Sequence, residues 1–425
     1  MGVGVGVGVG VGSGVGAGAG GIDSFARLSP TRDDGFSRLR LGDDGALDAR
    51  DGGGGGGGGG LCGSGPNGAH SPGRSATSRS IPSGPSRILD APELMDDYYL
   101  NLLSWGRANV IAVALHASVY LWHAADGRIV NLCTLGRDQY VTSVQWCRDR
   151  DNLLAIGTSA AKVEVWDTTA QRRVHDLDGH TMRVSALAWQ GTSSHCLSSG
   201  GRDSSVLNHD IRIGGPGRVT SRFLGHAQEV CGLAWSDCGS TLASGGNENR
   251  LCLWDSAIGR SASSRDGRYH PRLLIEQHQA AVKALAWCPW SRHTLASGGG
   301  TADRTIRIWN SSSGSQLKCV DTGSQVCALQ WSDTEKELVS SHGFSDYQLI
   351  LWRYPSLTKM KELRGHTARV LHLAKSPDGR TICSASADET IRFWDLFDGR
   401  SGCGLASPRG VPKRTVLQGF GSDLR

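Results

Sequence analysis

Short apolar segments with a period of two residues recur along most of this chain, and clusters of Gly, Ser, Asp and Asn separate them. Alternation of this kind, bounded by turn residues, predicts β-strands. Each repeat contains an inner strand such as residues 184–189, a second strand such as 241–244 and a third such as 305–309, before a more variable fourth strand. The pattern therefore predicts an all-β protein built from repeated four-stranded units.

An aromatic residue marks the end of the third strand in nearly every repeat, and Asp or Asn usually follows it. The marks recur about every 40–45 residues, with one longer interval that contains an insertion around residues 261–269. They are Trp122, Trp166, His209, Trp254, Trp309, Trp352 and Trp394. This period, ending in Trp-Asp, is typical of propeller blades. We therefore predict a seven-bladed WD-repeat β-propeller over residues 87–400.

A propeller must close its ring, usually by completing one blade from both ends of the chain. The last repeat contains only three predicted strands by Asp395, so a fourth must come from elsewhere. Residues 86–89 and residues 415–417 are both suitable. The sequence leaves both open, and we favour residues 86–89.

The two ends of the chain differ from the repeats in composition. Residues 1–86 contain a Gly-Val alternation, a run of glycine at 52–60 and a Ser/Arg/Pro-rich stretch. Ordering so many glycines is entropically costly, and no apolar periodicity offsets that cost. We predict a disordered extension over 1–86 and a short tail over 401–425.

Bulk composition removes several classes of partner. A formal net charge of +5 over 425 residues, with no Lys/Arg stripe, argues against nucleic acid. No apolar run reaches the length needed to span a bilayer, so we expect no membrane partner. The twelve cysteines are scattered without paired Cys-x-x-Cys motifs, which argues against zinc. We expect free thiols in a reducing compartment, no metal and no cofactor.

Sets of His, Ser, Asp and Trp recur at one spacing and resemble a hydrolase triad by composition. They are His366, Ser384, Asp388 and Trp394 in the last repeat, and His180, Ser199 and Asp203 in the third, where His209 replaces Trp. In the fourth repeat Glu248 replaces the Asp, and we expect a weaker network there. A catalytic set would occur once, so a set repeated in several blades predicts structural hydrogen-bond chains and not an enzyme.

Several segments are more specific than a generic repeat. In chain order they are residues 87–94 (RILDAPEL), 96–102 (DDYYLNL), 118–122 (SVYLW), 277–290 (QHQAAVKALAWCPW), 298–304 (GGGTADR), 343–344 (GF), 352–355 (WRYP), 376–379 (SPDG) and 387–390 (ADET). Together they closely resemble the Fizzy family, the mitotic activators of the anaphase-promoting complex. Residues 384–390 (SASADET) are more similar to the Fizzy branch than to the Fizzy-related branch.

The resemblance implies a substrate receptor and activator of a ubiquitin ligase. Its first site would bind the destruction box of cell-cycle proteins between the first and last blades. The motif's Arg would meet two acids and its Leu would enter an apolar pocket: Asp90 and Glu389, then Leu89, Pro92, Tyr120 and Trp122. Two carboxylates suit a guanidinium, and an apolar pocket suits one aliphatic anchor. Without the resemblance, Asp90 and Glu389 would be interpreted as ordinary turn residues.

A second site implied by the resemblance would bind the Lys-Glu-Asn degradation motif on the face around the central channel. The matching positions are Asp97, Asn247, Thr301, Gln325 and Arg369. An acid suits the motif's Lys, a guanidinium its Glu, and amides with a hydroxyl its Asn. Each residue alone would be an ordinary polar loop residue.

The chain departs from the family in its docking elements. We find no Asp-Arg-[Phe/Tyr]-Ile-Pro box in residues 1–86, and Leu424-Arg425 stands where the family ends in Ile-Arg. We still expect Leu424 and Arg425 to dock on the ligase. Expected partners are subunits of the anaphase-promoting complex, substrates such as cyclins and securin, and spindle-checkpoint proteins, in nucleus and cytoplasm. Two alternatives stay open: a receptor that does not activate the ligase, and a generic WD-repeat scaffold.

Overall fold

A computed structural model describes residues 79–191, 193, 195–214, 219–256 and 268–397. The extension predicted over 1–86 falls outside these residues up to position 78. The tail predicted over 401–425, with Leu424 and Arg425, lies wholly outside them. The described residues form β-strands and connecting turns, and none of them belongs to a helix that could cross a membrane.

Seven sheets form the blades of a propeller; six have four strands and the third has a short fifth strand. The first strand of the chain is β1 (Arg87–Asp90). Blade 1 contains β2 (Leu103–Trp105), β3 (Val110–Leu115), β4 (Ser118–His123) and β5 (Ile129–Thr134). Blade 2 contains β6 (Val141–Trp146), β7 (Leu153–Thr158), β8 (Val163–Asp167) and β9 (Arg172–Leu177). Blade 3 contains β10 (Val184–Trp189), β11 (Cys196–Gly201), β12 (Val206–Asp210) and β13 (Val219–Phe223).

The later blades follow the same order. Blade 4 contains β14 (Val230–Trp235), β15 (Thr241–Gly246), β16 (Leu251–Asp255) and β18 (Leu273–Ile275), while β17 (Arg268–Tyr269) adds a parallel fifth strand to blade 3. Blade 5 contains β19 (Val282–Trp287), β20 (Thr294–Gly299), β21 (Thr305–Asn310) and β22 (Gln316–Asp321). Blade 6 contains β23 (Val326–Trp331), β24 (Glu337–His342), β25 (Leu349–Arg353) and β26 (Thr358–Leu363). Blade 7 contains β27 (Val370–Lys375), β28 (Thr381–Ser386) and β29 (Thr390–Asp395).

Ring closure comes from the N-terminal side of the propeller. β1 pairs antiparallel with β29 as the outer strand of blade 7, with Arg87 opposite Phe393 and Asp90 opposite Thr390. The preference for residues 86–89 over the C-terminal tail is therefore confirmed. The closing strand also fixes which residues of the two chain ends become neighbours.

Packing between blades explains the small residues of the second strands. Every residue of β10 is buried, whereas five of the six residues of β22 are exposed. Inner strands of neighbouring blades must approach closely. A Cβ added to Gly245 would lie 2.1 Å from the Val282 carbonyl oxygen of the next blade, so glycine is required there. The sequence Leu-Ala-Ser-Gly-Gly in such strands thus reflects the approach of one blade to the next.

The predicted His–Ser–Asp–Trp chain is present in blade 7. His366 Nδ1 lies 2.9 Å from Asp388 Oδ2, His366 Nε2 lies 2.8 Å from Ser384 Oγ, and Trp394 Nε1 donates to the same hydroxyl at 2.9 Å. Burial lowers the pKa of His366, although the Asp388 carboxylate opposes this. The imidazole is enclosed by its own blade, so the set holds strands together and faces no substrate.

The same chain recurs in blades 4 and 5. In blade 3 His180 bonds Asp203 and Ser199, and His209 takes the place of Trp on the Ser199 hydroxyl, as predicted. In blade 4 the chain is complete despite Glu248, because Glu248 bonds His226 while Ser244 joins His226 to Trp254. We expected Glu248 to weaken this chain, but all three of its contacts are present. Blade 5 contains a set built on His278, which sequence reasoning missed because Gln, and not Gly, precedes that histidine.

Candidate peptide-binding sites

Ring closure brings the backbones of two acidic residues from opposite ends of the propeller together. Asp90 ends β1, and Glu389 stands immediately before β29. The Ala91 amide donates to the Glu389 carbonyl at 2.7 Å, and the Glu93 amide donates to Glu389 Oε1 at 3.3 Å. The closing strand therefore places the backbones of the two acids predicted for one site next to each other.

Both carboxylates are accessible to a ligand. Asp90 is half-buried and Glu389 is exposed. Among the described residues neither acid forms a salt bridge, whereas Asp388 of blade 7 does. A carboxylate without a cation of its own can offer both of its oxygens to a guanidinium. The arrangement can bind an Arg side chain without first breaking an internal ion pair.

An apolar cluster lies beside these acids. Leu89 and Trp122 are 2% and 3% exposed and belong to one core cluster, and Tyr120 packs against it while remaining half-buried. Pro92 is half-buried and is not a member of the cluster. The structure thus brings together three of the four residues predicted for the leucine pocket and leaves Pro92 at its margin.

A cavity of about 450 Å³ opens at the junction of blades 7 and 1. The Phe393 ring lies 5.6 Å from the Trp105 ring and 5.2 Å from the Trp122 ring, and these three form its aromatic wall. The Arg87 guanidinium lies 5.4 Å from the centre of the Trp122 ring. Of the six residues predicted for the destruction box, only Trp122 lines this cavity. Sequence reasoning missed Trp105, Phe393 and Arg87, although the register of a closing strand at 87–90 would have placed Arg87 opposite Phe393.

The residues of the second predicted site lie on one face of the ring. The inner strand of each blade begins on this face and the second strand ends on it, and we call it the top face. Asn247 follows β15, Thr301 follows β20, and Gln325 and Arg369 precede β23 and β27. Asp97 lies on the segment between β1 and β2. The structure therefore places all five predicted residues on the top face.

Asp97 is already bonded to an arginine of blade 3. Arg183 donates from Nη1 to Asp97 Oδ2 at 2.8 Å, and from Nε and Nη2 to the two carboxylate oxygens of Glu229 at 2.8 and 2.9 Å. The side chains of Arg183 and Glu229 are 12% and 8% exposed. Burial opposes the charge of Arg183, but the hydrogen bonds and charge of Glu229 outweigh it and raise the pKa of Arg183.

Other predicted residues of the top face also have internal partners. Arg369 donates to the Asp96 carboxylate from Nε and to the Asp96 carbonyl from Nη2 at 2.8 Å. Asn247 accepts from the Tyr99 hydroxyl at 2.7 Å and donates to Gln228 at 2.6 Å. A ligand of this face must therefore exchange existing hydrogen bonds for its own.

Sequence reasoning missed Arg183 and Glu229, although a positional signal could have found them. Gln325 and Arg369 each immediately precede the first valine of an inner strand. Arg183 and Glu229 occupy the equivalent positions in blades 3 and 4. Aligning the repeats on that valine brings the four residues into one column that surrounds the channel.

His, Cys, Asp and Glu are the side chains that bind metal ions in proteins. Within the described part of the chain, no three of these side chains are arranged to hold a metal ion. The polar groups of both candidate sites instead suit peptide side chains.

Comparison with known proteins identifies the family. The family model described as the CDC20/Fizzy WD40 domain matches residues 89–394. The anaphase-promoting complex subunit cdc20 of Dictyostelium discoideum is 51% identical over 321 residues, which cover 75% of this chain and 62% of that protein. This chain therefore spans less than two thirds of the length of that relative.

Relatives from both branches are similar to this chain. Cell division cycle 20.1, cofactor of APC complex, of Arabidopsis thaliana is 48% identical over 335 residues, covering 78% of this chain and 71% of that protein. Protein FIZZY-RELATED 3 of the same plant is also 48% identical, over 319 residues, covering 75% and 63%. These identities support the family and do not separate its branches.

A solved structure agrees with the fold. A chain of the Crystal Structure of Mitotic Checkpoint Complex superposes with a TM-score of 0.70 at 42% identity, covering 77% of this chain and 97% of that one. The propeller, its closing strand and the sequence matches lead to one assignment. The chain belongs to the CDC20/Fizzy family.

Proposed function

We propose that this chain is a substrate-recognition and activator subunit of the anaphase-promoting ubiquitin ligase. The closing strand is the observation that carries the proposal, because it brings the backbones of Asp90 and Glu389 together beside an apolar cluster, where their carboxylates could bind a guanidinium. Relatives named as a subunit and as a cofactor of that complex support the assignment. The protein itself would bind substrates and leave the ubiquitin transfer to the ligase.

The destruction box would bind along the junction of blades 7 and 1. Its Arg would lie between Asp90 and Glu389, and its Leu would contact Leu89, Tyr120 and Trp122. One buried apolar anchor beside a charged contact is the usual composition of a binding hot spot. Pro92 would border the pocket, and the cavity behind Trp122 leaves room for more of the peptide.

The Lys-Glu-Asn motif would bind on the top face. Its Lys would compete with Arg183 for Asp97, and its Glu would compete with Asp96 for Arg369. Its Asn would bond Asn247, Thr301 and Gln325, of which Thr301 is exposed and Gln325 is half-buried. The two motifs would then occupy separate surfaces of one receptor.

The proposal extends to partners and location. Subunits of the anaphase-promoting complex would bind the chain, with Leu424 and Arg425 as one docking element. Similarity to a chain of a mitotic checkpoint complex supports spindle-checkpoint proteins as further partners. Substrates would include cyclins and securin, and the protein would act in nucleus and cytoplasm, in the Fizzy rather than the Fizzy-related branch.

The proposed binding site of the destruction-box Arg, at Asp90 and Glu389, is tested by fluorescence anisotropy with a labelled peptide. A charge-assisted hydrogen bond contributes about 1.5–3 kcal/mol, or roughly 10- to 100-fold in Kd. We expect Asp90→Ala and Glu389→Gln each to weaken binding by that factor. Asp126→Ala, at an exposed acid of the neighbouring blade, is the matched control and should leave Kd unchanged. Near-normal affinity in both site variants would refute the assignment.

Activation needs a separate measurement. Purified chain is added to activator-free ligase with a destruction-box substrate, and substrate ubiquitination is followed. Ubiquitination that disappears in Asp90→Ala supports the activator. Peptide binding without ubiquitination would favour the second candidate, a receptor that does not activate, for which the motive is the absence of an Asp-Arg-[Phe/Tyr]-Ile-Pro box in residues 1–86.

A further inference from the structure

The segment 96–101 crosses the top of the central channel and binds several blades at once. The Tyr98 hydroxyl donates to the carbonyls of Ala281 and Val326, at 3.4 and 3.2 Å, in blades 5 and 6. Asn101 Nδ2 donates to carbonyls of blades 3 and 4 at 2.8 and 3.0 Å. Tyr98 is only 6% exposed. The segment therefore covers the channel from above.

A polar cavity of about 180 Å³ lies among the inner strands that surround the channel. Its polar side chains come from five different positions around the ring, and no acidic residue lines it. They are Asn101, Gln145, Lys283, Gln330 and His372. The space exceeds the roughly 30 Å³ that one water occupies in the liquid several-fold. It can hold a small polyatomic ligand together with water.

Lys283 supplies a buried amine to this cavity, and burial lowers the pKa of Lys283 to about 8. The residue is 5% exposed, and its Nζ donates to the Leu371 carbonyl at 3.0 Å and lies 5.5 Å from the centre of the Tyr98 ring. Among the described residues no carboxylate forms a salt bridge with it. Burying an ammonium without a counter-charge is costly. An anion in the cavity would remove that cost.

His372 supplies a second group without a protein partner. The residue is 4% exposed and lines the same cavity, and its Nε2 has no hydrogen-bond partner within the described chain. Burial and the nearby Lys283 charge keep the pKa of His372 well below its usual value, so the ring is neutral. A neutral imidazole can carry its proton on Nε2 and donate it to an acceptor.

We propose that the central channel binds a small inorganic oxyanion of the phosphate type, held by Lys283 Nζ and His372 Nε2. The amides of Gln145 and Gln330 offer further donors. An adjoining cavity of about 260 Å³ shares both glutamines and is lined by Arg107, Arg148 and Lys375. Arg148 is paired with Asp237 and Lys375 with Asp333, whereas Arg107 forms no salt bridge among the described residues. The charge of Arg107 favours entry of an anion from the face opposite Tyr98.

Isothermal titration calorimetry of the full chain with inorganic phosphate tests the proposal. Ionic strength is held constant with sodium chloride, so that the screening of charges stays the same throughout the titration. We expect saturable binding at one site, and Lys283→Met should weaken it at least tenfold. Lys162→Met, at an exposed lysine, is the matched control and should bind like the natural chain. Titration of the natural chain with acetate distinguishes a tetrahedral oxyanion from carboxylates, which should bind more weakly.

Two outcomes would overturn the proposal. One is the absence of saturable phosphate binding to the natural chain, a result that does not depend on whether Lys283→Met folds. The other is undiminished binding in folded Lys283→Met. His372→Phe, which keeps a buried ring but removes the donor, should weaken binding severalfold and provides an independent variant. None of these measurements uses a degradation peptide, so their failure would leave the proposed function untouched.

Discussion

The two candidate peptide sites differ in what their polar groups do before a ligand arrives. At the junction of blades 7 and 1, Asp90 and Glu389 form no salt bridge within the described residues. On the top face, Asp97 is bonded to Arg183, and Arg369 is bonded to Asp96. The first site is open to a guanidinium, whereas the second must exchange internal bonds for external ones.

This difference has an energetic consequence. A ligand that replaces an internal ion pair gains only the surplus of the new contact over the old one. A ligand that meets unpaired acids gains the whole charge-assisted bond, less its desolvation cost. For motifs of similar size we therefore expect a peptide to bind the junction more tightly than the top face. The affinity of the top face should depend more strongly on substitutions of its internal partners.

The largest effect is expected at Trp122, which belongs both to the junction of blades 7 and 1 and to the core. Trp122→Ala should lower the free energy of unfolding by about 3–5 kcal/mol, as for other buried Trp truncations, and should weaken a destruction-box peptide at least tenfold. Urea unfolding and anisotropy measure the two effects. Trp290→Ala, in an aromatic cluster with Trp331 and Tyr354, is the control. It should destabilise the protein and leave peptide affinity unchanged; equal loss of affinity in both would assign the effect to folding.

The second prediction concerns Arg183, the cation that holds Asp97 and Glu229 on the top face. Arg183→Met leaves Glu229 and Asp97 without a counter-charge, and breaking a buried pair in this way costs about 3–5 kcal/mol. Because Arg183 retains slight exposure, we expect the free energy of unfolding in urea to fall by about 3 kcal/mol. A Lys-Glu-Asn peptide should bind more tightly, because its Lys no longer competes with Arg183 for Asp97. Arg148→Met removes an ion pair with side chains 57% and 50% exposed and should cost at most about 1 kcal/mol. Equal costs for the two variants would contradict the buried network.

Much of this comparison is predictable from sequence, and the remainder depends on three-dimensional pairing. The Trp marks predict seven blades because each blade repeats the same local strand pattern. Asp90 and Glu389 become a pair only once a closing strand is assigned, and the resemblance to the Fizzy family indicated their role. The Arg183–Asp97 bond joins a loop of blade 3 to the segment before blade 1. No local pattern encodes such a contact, so the prediction gave Asp97 no internal partner.

Lowering the pH should destabilise the propeller through a buried histidine that belongs to neither candidate site. His209 is fully buried in blade 3, and burial lowers its pKa to about 3. An unfolded histidine has a pKa near 6.5, so below that pH the unfolded state binds the proton that the folded state excludes. Stability therefore falls as pH falls from 6.5, by about 1.4 kcal/mol per pH unit for this group.

His209→Trp restores the residue found at this position in most blades and removes that titration. Between pH 6.5 and 5 we expect the natural chain to lose about 2 kcal/mol more stability than the variant, as measured by urea unfolding. Histidines of the other blades contribute equally to both proteins and cancel in the difference. Parallel pH profiles would show that His209 is not held neutral in the folded state. Peptide affinity at pH 7 should be the same in both proteins, because His209 belongs to neither site.

The smallest effect tests the internal competition itself. Asp96→Asn keeps the size of the side chain but removes the charge that holds Arg369, while the Asp96 carbonyl contact can persist. The pair is partly exposed, so it contributes about 0–1 kcal/mol, and releasing Arg369 should tighten a Lys-Glu-Asn peptide about two- to fivefold. Asp333→Asn, which frees Lys375 on the opposite face, should change nothing. A variant that binds the peptide more weakly than the natural chain would mean that Asp96 helps to present Arg369 and does not compete for it.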